Sequence, residues 1–344
     1  MKNKAENNDI FLNLKKCSLF EDLTDTEIST VSLLSTLITR PKDTQLFSQG
    51  ENSSDIYVVA SGSVDVFIKE GLENKMKIGT YQEGSFFGEL GYFLKETRIG
   101  TALTTMETTV VVISKTLYDL PTIFRTPGFV GFLKRIANRA GTTLKDISQA
   151  MTASKNSVFQ ALDHLPEHSV EDTNLKERRK DGNTFDIDNL LHLHIFKRFK
   201  KDDLATLCSK SFRVDFKKGE LIFSENSVGS SFYIIVSGAV LICKTFLING
   251  EKKHAKLALL PPGRPLGHLS FFDSSKRSAS AIACERTTVM EIELETYTAL
   301  VCTVQDETDV AFELLEGFID DLSVAMLNTL RALVYASSRK KLNT

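Results

Sequence analysis

The feature that most constrains this 344-residue chain is an internal repeat. Ser231-Phe232-Tyr233-Ile234-Ile235-Val236-Ser237-Gly238 echoes Asp55-Ile56-Tyr57-Val58-Val59-Ala60-Ser61-Gly62 at an offset of 176 (238 − 62). Ile195-Phe196 echoes Leu19-Phe20 at the same offset (196 − 20). At Gly267 against Gly88 the offset is 179. It holds through Thr287-Thr288-Val289 against Thr108-Thr109-Val110, so three residues are added around the hairpin Leu247-Ile248-Asn249-Gly250. A register kept over this length means two copies of one domain, and the chain length suits two.

Each copy reads the same way. Thr24-Asp25-Thr26-Glu27 is a capping box, and it predicts a helix from Asp25 to about Leu37 with Ile28, Val31 and Leu34 on one face. Short strands with glycine turns follow: Thr44–Gly50, Ile56–Ala60, Ser63–Ile68, a strand ending at Tyr81, and a β-branched run over 101–113. This pattern predicts an antiparallel double-sheet roll or barrel. Residues 117–162 turn helical, with Phe129, Phe132, Leu133 and Ile136 at three- and four-residue steps. A last helix over about 308–336 carries Val310, Leu314, Phe318, Leu322, Met326 and Leu330 on one stripe. The expected organisation is a flexible polar lead (1–13), a first domain (14–160), a charged linker (161–189), a second domain (190–336) and a basic tail (337–344).

A cassette stands out in each copy. Phe87-Gly88-Glu89-Leu90 is followed by Arg98, ten positions after the glycine (98 − 88). Leu266-Gly267-His268-Leu269 is followed by Arg277 at the same spacing (277 − 267). The second cassette has lost its acid. A formal net charge of −2 argues against a general nucleic-acid or membrane-surface binder. No apolar run reaches the ~18 residues of a membrane span, and the N-terminus lacks a signal-peptide core. Five scattered cysteines, with no Cys-x-x-Cys pair, read as reduced core thiols in a cytoplasmic protein.

The helix, the strands, the Gly-Glu-Leu step with its arginine and the closing helices together resemble the cyclic nucleotide-binding domain family. Its members include the sensor halves of catabolite activator protein, protein kinase A regulatory subunits and nucleotide-gated channels. Gly50, Gly62, Gly84 and the Phe87–Leu90 and Arg98 matches carry the resemblance in the first copy. Gly219-Glu220, Gly238, Gly263, Gly267, Leu269 and Arg277 carry it in the second. The fold implied is α+β: two copies of an eight-stranded antiparallel β-roll, a jelly-roll-like barrel, with flanking α-helices.

The resemblance implies a cyclic nucleotide ligand, cAMP or cGMP, at Gly88, Glu89, Leu90, Arg98, Ile99 and Thr101. A glycine lets the backbone approach a phosphate, and an arginine fork suits its exocyclic oxygens. Glu89 accepts from the ribose 2′-hydroxyl. Ile99 stands where the family often has a small residue, and Thr101 is a further phosphate donor. Phe129 or Phe132 is expected to cover the base. The second site would comprise Gly267, His268, Leu269, Arg277 and Ser278. A neutral imidazole accepts one hydrogen bond and a protonated one none. Site 2 is therefore either weak and differently selective or purely structural.

Other motifs are weaker. His192 and His194 face different ways on a helix, and His164 and His168 straddle Pro166. No second ligand accompanies His268 for a metal. Arg178-Arg179-Lys180-Asp181 is similar to a basic kinase-inhibitor segment, but it carries Asp where the small residue belongs and lies between the domains. It reads as solvated linker. No catalytic constellation is present, and a single helix and tail after the second domain speak against an appended helix-turn-helix. The expected protein is a stand-alone cyclic nucleotide sensor, not an enzyme. It would act on an unknown protein effector and self-associate, if at all, as a homodimer through the C-terminal helix. The rivals are a ligand-independent scaffold and a kinase regulatory-subunit-like protein.

Overall fold

The computed structural model describes residues 4–70, 74–89, 91, 97–114, 128–129, 131–139, 161–162, 178–248, 251–268, 276–302, 310 and 313–322. The chain divides into two units, Met1–Asn156 with Leu322–Thr344, and Ser157–Asp321.

The first unit opens on helix α1, Lys4–Lys16, where the composition suggests a flexible lead. Ile10, Leu14 and Cys17, four and three residues apart, form the buried stripe that makes this polar stretch a docked helix. Helix α2, Asp25–Leu33, starts with the expected capping box: the Glu27 amide donates to Thr24 Oγ1 at 3.3 Å and the Thr24 amide donates to Glu27 Oε2 at 2.7 Å. It stops four residues earlier than the sequence suggests. Ser35–Arg40 is strand β1, paired residue by residue with β8, Thr108–Ile113. The β-branched Thr36, Ile38 and Thr39 suit a pleated edge better than a last helical turn.

Between them lie β2 (Gln45–Phe47), β3 (Ile56–Ser61), β4 (Ser63–Glu70), β5 (Asn74–Gln82), β6 (Phe86–Phe87) and β7 (Thr101–Thr104). The eight strands form two four-stranded antiparallel sheets, β1-β8-β3-β6 and β2-β7-β4-β5. Phe47, Val59, Val66, Phe87 and Val110 come from both sheets and share one core. This is an open double-sheet roll, not a closed barrel. Gly62 turns β3 into β4 at φ +91°, and a Cβ there would meet the Glu107 carbonyl oxygen at 2.6 Å. Gly238 meets Arg286 at the same distance, so one steric demand fixed both copies of this glycine.

A helical layer backs the first roll. In segment 131–139, Phe132, Leu133, Ile136 and Ala137 are buried, and Phe132 packs on Phe20 at 5.6 Å between ring centroids. Arg135 pairs with Asp22 at 3.0 Å and with Glu21 at 3.2 Å.

The second unit repeats the roll with two added edge strands. Its strands are β9 (Ala161–Leu162), β10 (Lys180–Asp181), β11 (Phe212–Phe216), β12 (Leu221–Phe223), β13 (Ser231–Ser237), β14 (Val240–Ile248), β15 (Glu251–Leu260), β16 (Pro265–Leu266), β17 (Ser280–Ala283) and β18 (Thr287–Glu293). The sheets run β10-β11-β18-β13-β16 and β12-β17-β14-β15-β9. The insertion lengthens a hairpin: β14 has nine residues against eight in β4, and β15 ten against nine in β5. In segment 313–322, Leu314, Leu315, Phe318 and Ile319 are buried. They follow Phe132, Leu133, Ile136 and Ala137 at a constant 182 (314 − 132). Arg198, at the place of Asp22 (198 − 22 = 176), pairs with Asp320 at 3.0 Å and Glu316 at 3.4 Å. The same joint therefore has opposite polarity in the two units.

The charge run expected to be solvated is instead fastened to the second unit. Arg179 donates from Nε and Nη2 to the two oxygens of Glu291 at 2.7 and 2.8 Å, reaches Glu293 at 2.8 Å, and lies over the Phe212 ring. Arg178 pairs with Glu220 at 2.6 Å over the Phe216 ring. Lys180 and Asp181 then pair with Arg213 and Phe212 of β11. Of the expected dimer stripe, Val310, Leu314 and Phe318 are buried within the second unit, and 323–344 lie outside the described residues. Among the described residues no helix is long and apolar enough to cross a membrane.

Candidate functional site

The first cassette begins where β6 ends. Gly88 has φ +85°, and a Cβ there would lie 2.9 Å from Arg98 Nη1 and 3.0 Å from the Asp55 carbonyl oxygen. Only glycine fits this left-handed turn without displacing its neighbours. The backbone of residue 98 is pinned in turn: its amide donates to Glu51 at 2.8 Å and its carbonyl accepts from Gly50 at 2.8 Å. The sequence-predicted glycine and arginine are thus brought into contact.

The Arg98 side chain points inward. Nη1 donates to the Gly88 carbonyl at 2.7 Å, and Nη2 donates to Ser53 Oγ at 2.9 Å and the Asp55 carbonyl at 2.7 Å. The guanidinium lies 4.2 Å over the Phe47 ring and 5.5 Å over Tyr57. Arg98 is only 2% exposed, and its Nε has no partner. Every acceptor it uses is neutral, and no carboxylate among the described residues is within ion-pair distance. Burial lowers its pKa, opposed by Tyr57, Asp55, Glu51 and Glu89.

Glu89 is buried, and that burial raises its carboxyl above the ordinary range against the pull of its own amide, Arg139 and Arg98. Arg139, from segment 131–139, lies 5.1 Å over the Tyr81 ring. Thr101 Oγ1 accepts from the Gln49 amide at 3.0 Å, leaving its own proton free to donate. Ile99 is half-buried. Leu90 lies outside the described residues. Phe129 and Phe132, expected to cover the base, stack on each other at 4.7 Å in the helical layer, and Phe132 also meets Phe20 at 5.6 Å.

The second cassette rebuilds the same cage. Arg277 donates from Nη1 to Gly267 and from Nη2 to Ser231, both at 2.5 Å, and lies over Phe223 and Tyr233 at 4.6 and 6.0 Å. Each aromatic sits 176 after its counterpart (223 − 47, 233 − 57). Ser280 Oγ accepts from the Glu225 amide at 2.9 Å, as Thr101 does from Gln49. Ser278 is half-buried, and Leu269 lies outside the described residues. His268 is the departure. Burial, with Arg264 and Arg277 nearby, pushes its pKa down to about 3, so the ring is neutral. Neither ring nitrogen has a hydrogen-bond partner, and the ring stacks on Phe318.

Sequence reasoning missed Ser53, Tyr81, Arg139 and the aromatic pair around each arginine. The pair was visible as a repeat, Phe47/Tyr57 and Phe223/Tyr233. Arg139 carried no signal, because its role depends on where a helix lands. Cys17, Cys208 and Cys243 are free and buried, with thiols pushed up to about 11, 12 and 11. No metal-ligating cluster occurs among the described residues.

A buried arginine at a glycine turn, with an acid beside it, is anion-binding chemistry on a β-roll. The cyclic nucleotide-binding domain family model matches residues 38–118 and 213–302, which hold both cassettes. The chain carries two such domains and belongs to that family. It is 37% identical to the cyclic AMP receptor protein of Thermus thermophilus over 86 residues, 25% of this chain and 38% of that protein. It is 22% identical to the cAMP-dependent protein kinase regulatory subunit of Mucor circinelloides over 265 residues, 77% of this chain and 48% of that one. The first is named as a receptor protein and the second as a regulatory subunit. The chain spans about half or less of the length of these relatives. The regulatory domain of Toxoplasma gondii protein kinase A, solved with cAMP, is 17% identical with a TM-score of 0.32, over 89% of this chain and 96% of that one.

Proposed function

We propose that this chain is a cyclic nucleotide sensor whose first unit binds one cAMP or cGMP and whose output is control of a protein partner. The observation that carries the reading is Arg98. An arginine 2% exposed, held by three neutral acceptors and retaining an unpartnered Nε, is a buried cation with no ion-pair partner among the described residues. Such a group costs several kcal/mol unless an anion completes it. The phosphodiester is that anion, its exocyclic oxygens taking the arginine fork and the Thr101 hydroxyl.

Glu89 then accepts from the ribose 2′-hydroxyl. Because Arg139 and Tyr81 lie beside Glu89, this contact alters the charge balance felt by segment 131–139. The ligand thereby shifts the helix population, and the helix carries the signal. The names of the relatives support cAMP as one ligand to try first. The partner is a protein and not nucleic acid, and the setting is the cytoplasm. A kinase remains among the partners to test, although Arg178 and Arg179 are engaged by Glu220 and Glu291 and do not present a free inhibitory segment. The rival scaffold reading draws on one observation: the second cassette packs His268 under Phe318.

The test is titration calorimetry of the full chain with cAMP and with cGMP, on wild type and Arg98→Ala. Binding in the wild type and its loss in the variant, by about 100-fold or ~2.7 kcal/mol, is expected. No heat with either ligand in a folded sample refutes the sensor and favours the scaffold.

A further inference from the structure

The second cassette carries its own cover. His268 holds the position of Glu89 (268 − 89 = 179), and its ring lies nearly parallel to that of Phe318, at 5.5 Å and 10°. Phe318 is fully buried and meets Phe232 edge-on at 4.9 Å, so the ring is fixed on a second side. One turn along the same helix, the buried Asp321 pairs with Arg264, which enters β16 just before the cassette.

The rest of segment 313–322 is equally committed. Leu314, Leu315 and Ile319 are fully buried. Gly317 passes so close to Ile195 that a Cβ would come within 2.8 Å of its side chain. Arg198 holds Glu316 and Asp320. All these contacts lie within the second unit and need no ligand.

The first unit is built otherwise. At the helix spacing of 182, Phe318 corresponds to Ile136 (318 − 182) and Asp321 to Arg139 (321 − 182). At the cassette spacing, Arg264 corresponds to Ser85 (264 − 179). An acid in the first cassette faces a cation on its helix. In the second, a cation before the cassette already holds an acid on its helix, and the cassette position itself faces an aromatic ring. A ribose needs a hydrogen-bond acceptor beside this position and room to reach it. His268 offers a weak acceptor at most, and Phe318 covers the face of its ring.

We propose that His268 and Phe318 form an intrinsic plug: segment 313–322 closes the second cassette without ligand, and Phe318, as much as the missing acid, excludes cyclic nucleotide from it. The resulting count of one nucleotide per chain rests on the reading of the first unit. The closure itself does not.

Hydrogen exchange on the full chain tests the closure. Without nucleotide, amides of 313–322 should exchange within about tenfold of those in β13 and β18, a difference of ~1.4 kcal/mol or less in opening free energy. Exchange about 100-fold faster overturns the proposal. In the Arg98→Ala protein, saturating cAMP or cGMP should leave exchange at 313–322 unchanged. Slowing by about tenfold or more means the second cassette takes ligand and overturns it.

Equilibrium dialysis with labelled cAMP and cGMP tests the role of Phe318, again in Arg98→Ala. His268→Glu alone should create no site, whereas His268→Glu with Phe318→Ala should create one. Equal binding by the two variants overturns the proposal, because the missing acid would then explain everything. If the Phe318→Ala protein does not fold, the exchange measurements decide. A wild type that binds neither nucleotide refutes the first-unit reading and leaves the exchange comparison intact.

Discussion

Replacing Arg179 with methionine should destabilise the second unit far more than a linker substitution would. The Glu291 carboxylate it grips is 2% exposed, and Arg179 itself 14%. Methionine keeps most of the apolar stem over Phe212 but leaves Glu291 buried without its cation. Removing one partner of a buried pair costs about 3–5 kcal/mol, against ~0–1 kcal/mol for an exposed pair. For a unit of this size each kcal/mol moves the melting transition by roughly 2–4 °C, so a fall of about 6–20 °C is expected. The internal repeat supplies the rescue. Val112 occupies the position of Glu291 in the first unit (291 − 179 = 112), so Arg179→Met with Glu291→Val should regain about 2 kcal/mol or more of the loss. Calorimetry of the full chain resolves this, because the transition of the first unit serves as an internal control. A fall below about 2 °C, or a double variant no better than the single, would refute the burial argument and return residues 178–181 to solvent.

Two further substitutions probe the cassettes. Glu89→Gln should weaken nucleotide binding by roughly 10- to 150-fold, the loss of one charge-assisted hydrogen bond of ~1.5–3 kcal/mol. It should also raise the ligand-free melting temperature. The Glu89 carboxyl is raised in the folded state, so its stabilising contribution is present at low pH and fades as pH rises through the folded value; the gain from glutamine therefore grows from pH 4.5 upward. His268→Gln should flatten the acid limb of the second unit. A histidine lowered from 6.5 to about 3 leaves the fold intact above 6.5 and destabilises it by about 2 kcal/mol at pH 5, because the unfolded chain binds the proton first. Asp321, raised to about 7, acts in the opposite direction, so the measurement is the wild-type-minus-variant difference in urea denaturation at pH 5 and 7.5.

What could be read from the sequence was local or repeated. The capping box at Thr24 and Glu27 needs only four residues, and the glycine and arginine of each cassette recur at a fixed spacing. The strand at Ser35–Arg40 was hidden because its inward residues continue the apolar positions of α2, and only pairing with β8 decides between helix and strand. Helix α1 was hidden by composition, since Ile10 and Leu14 are a thin apolar signal among polar residues. The strap at Arg178–Asp181 misled for a different reason. Charge reads as solvation until the acids that receive it are located, and Glu220 and Glu291 lie 42 and 112 residues further on. Arg139 and Phe318 belong to the same class: they matter through the landing place of a helix, which no short window contains.

The polarity of the helical joints has a consequence for how a chain with two copies of one fold assembles itself. Segment 131–139 brings Arg135 to the Glu21 and Asp22 turn, whereas 313–322 brings Glu316 and Asp320 to Arg198. The two helices bury apolar residues at four matching positions, so burial at those positions does little to tell one roll from the other. Exchanged, each would set like charges against each other at the first contact it makes. Sign reversal at this joint therefore acts as an address, sending each helix back to the roll that precedes it while both are being made on one polypeptide.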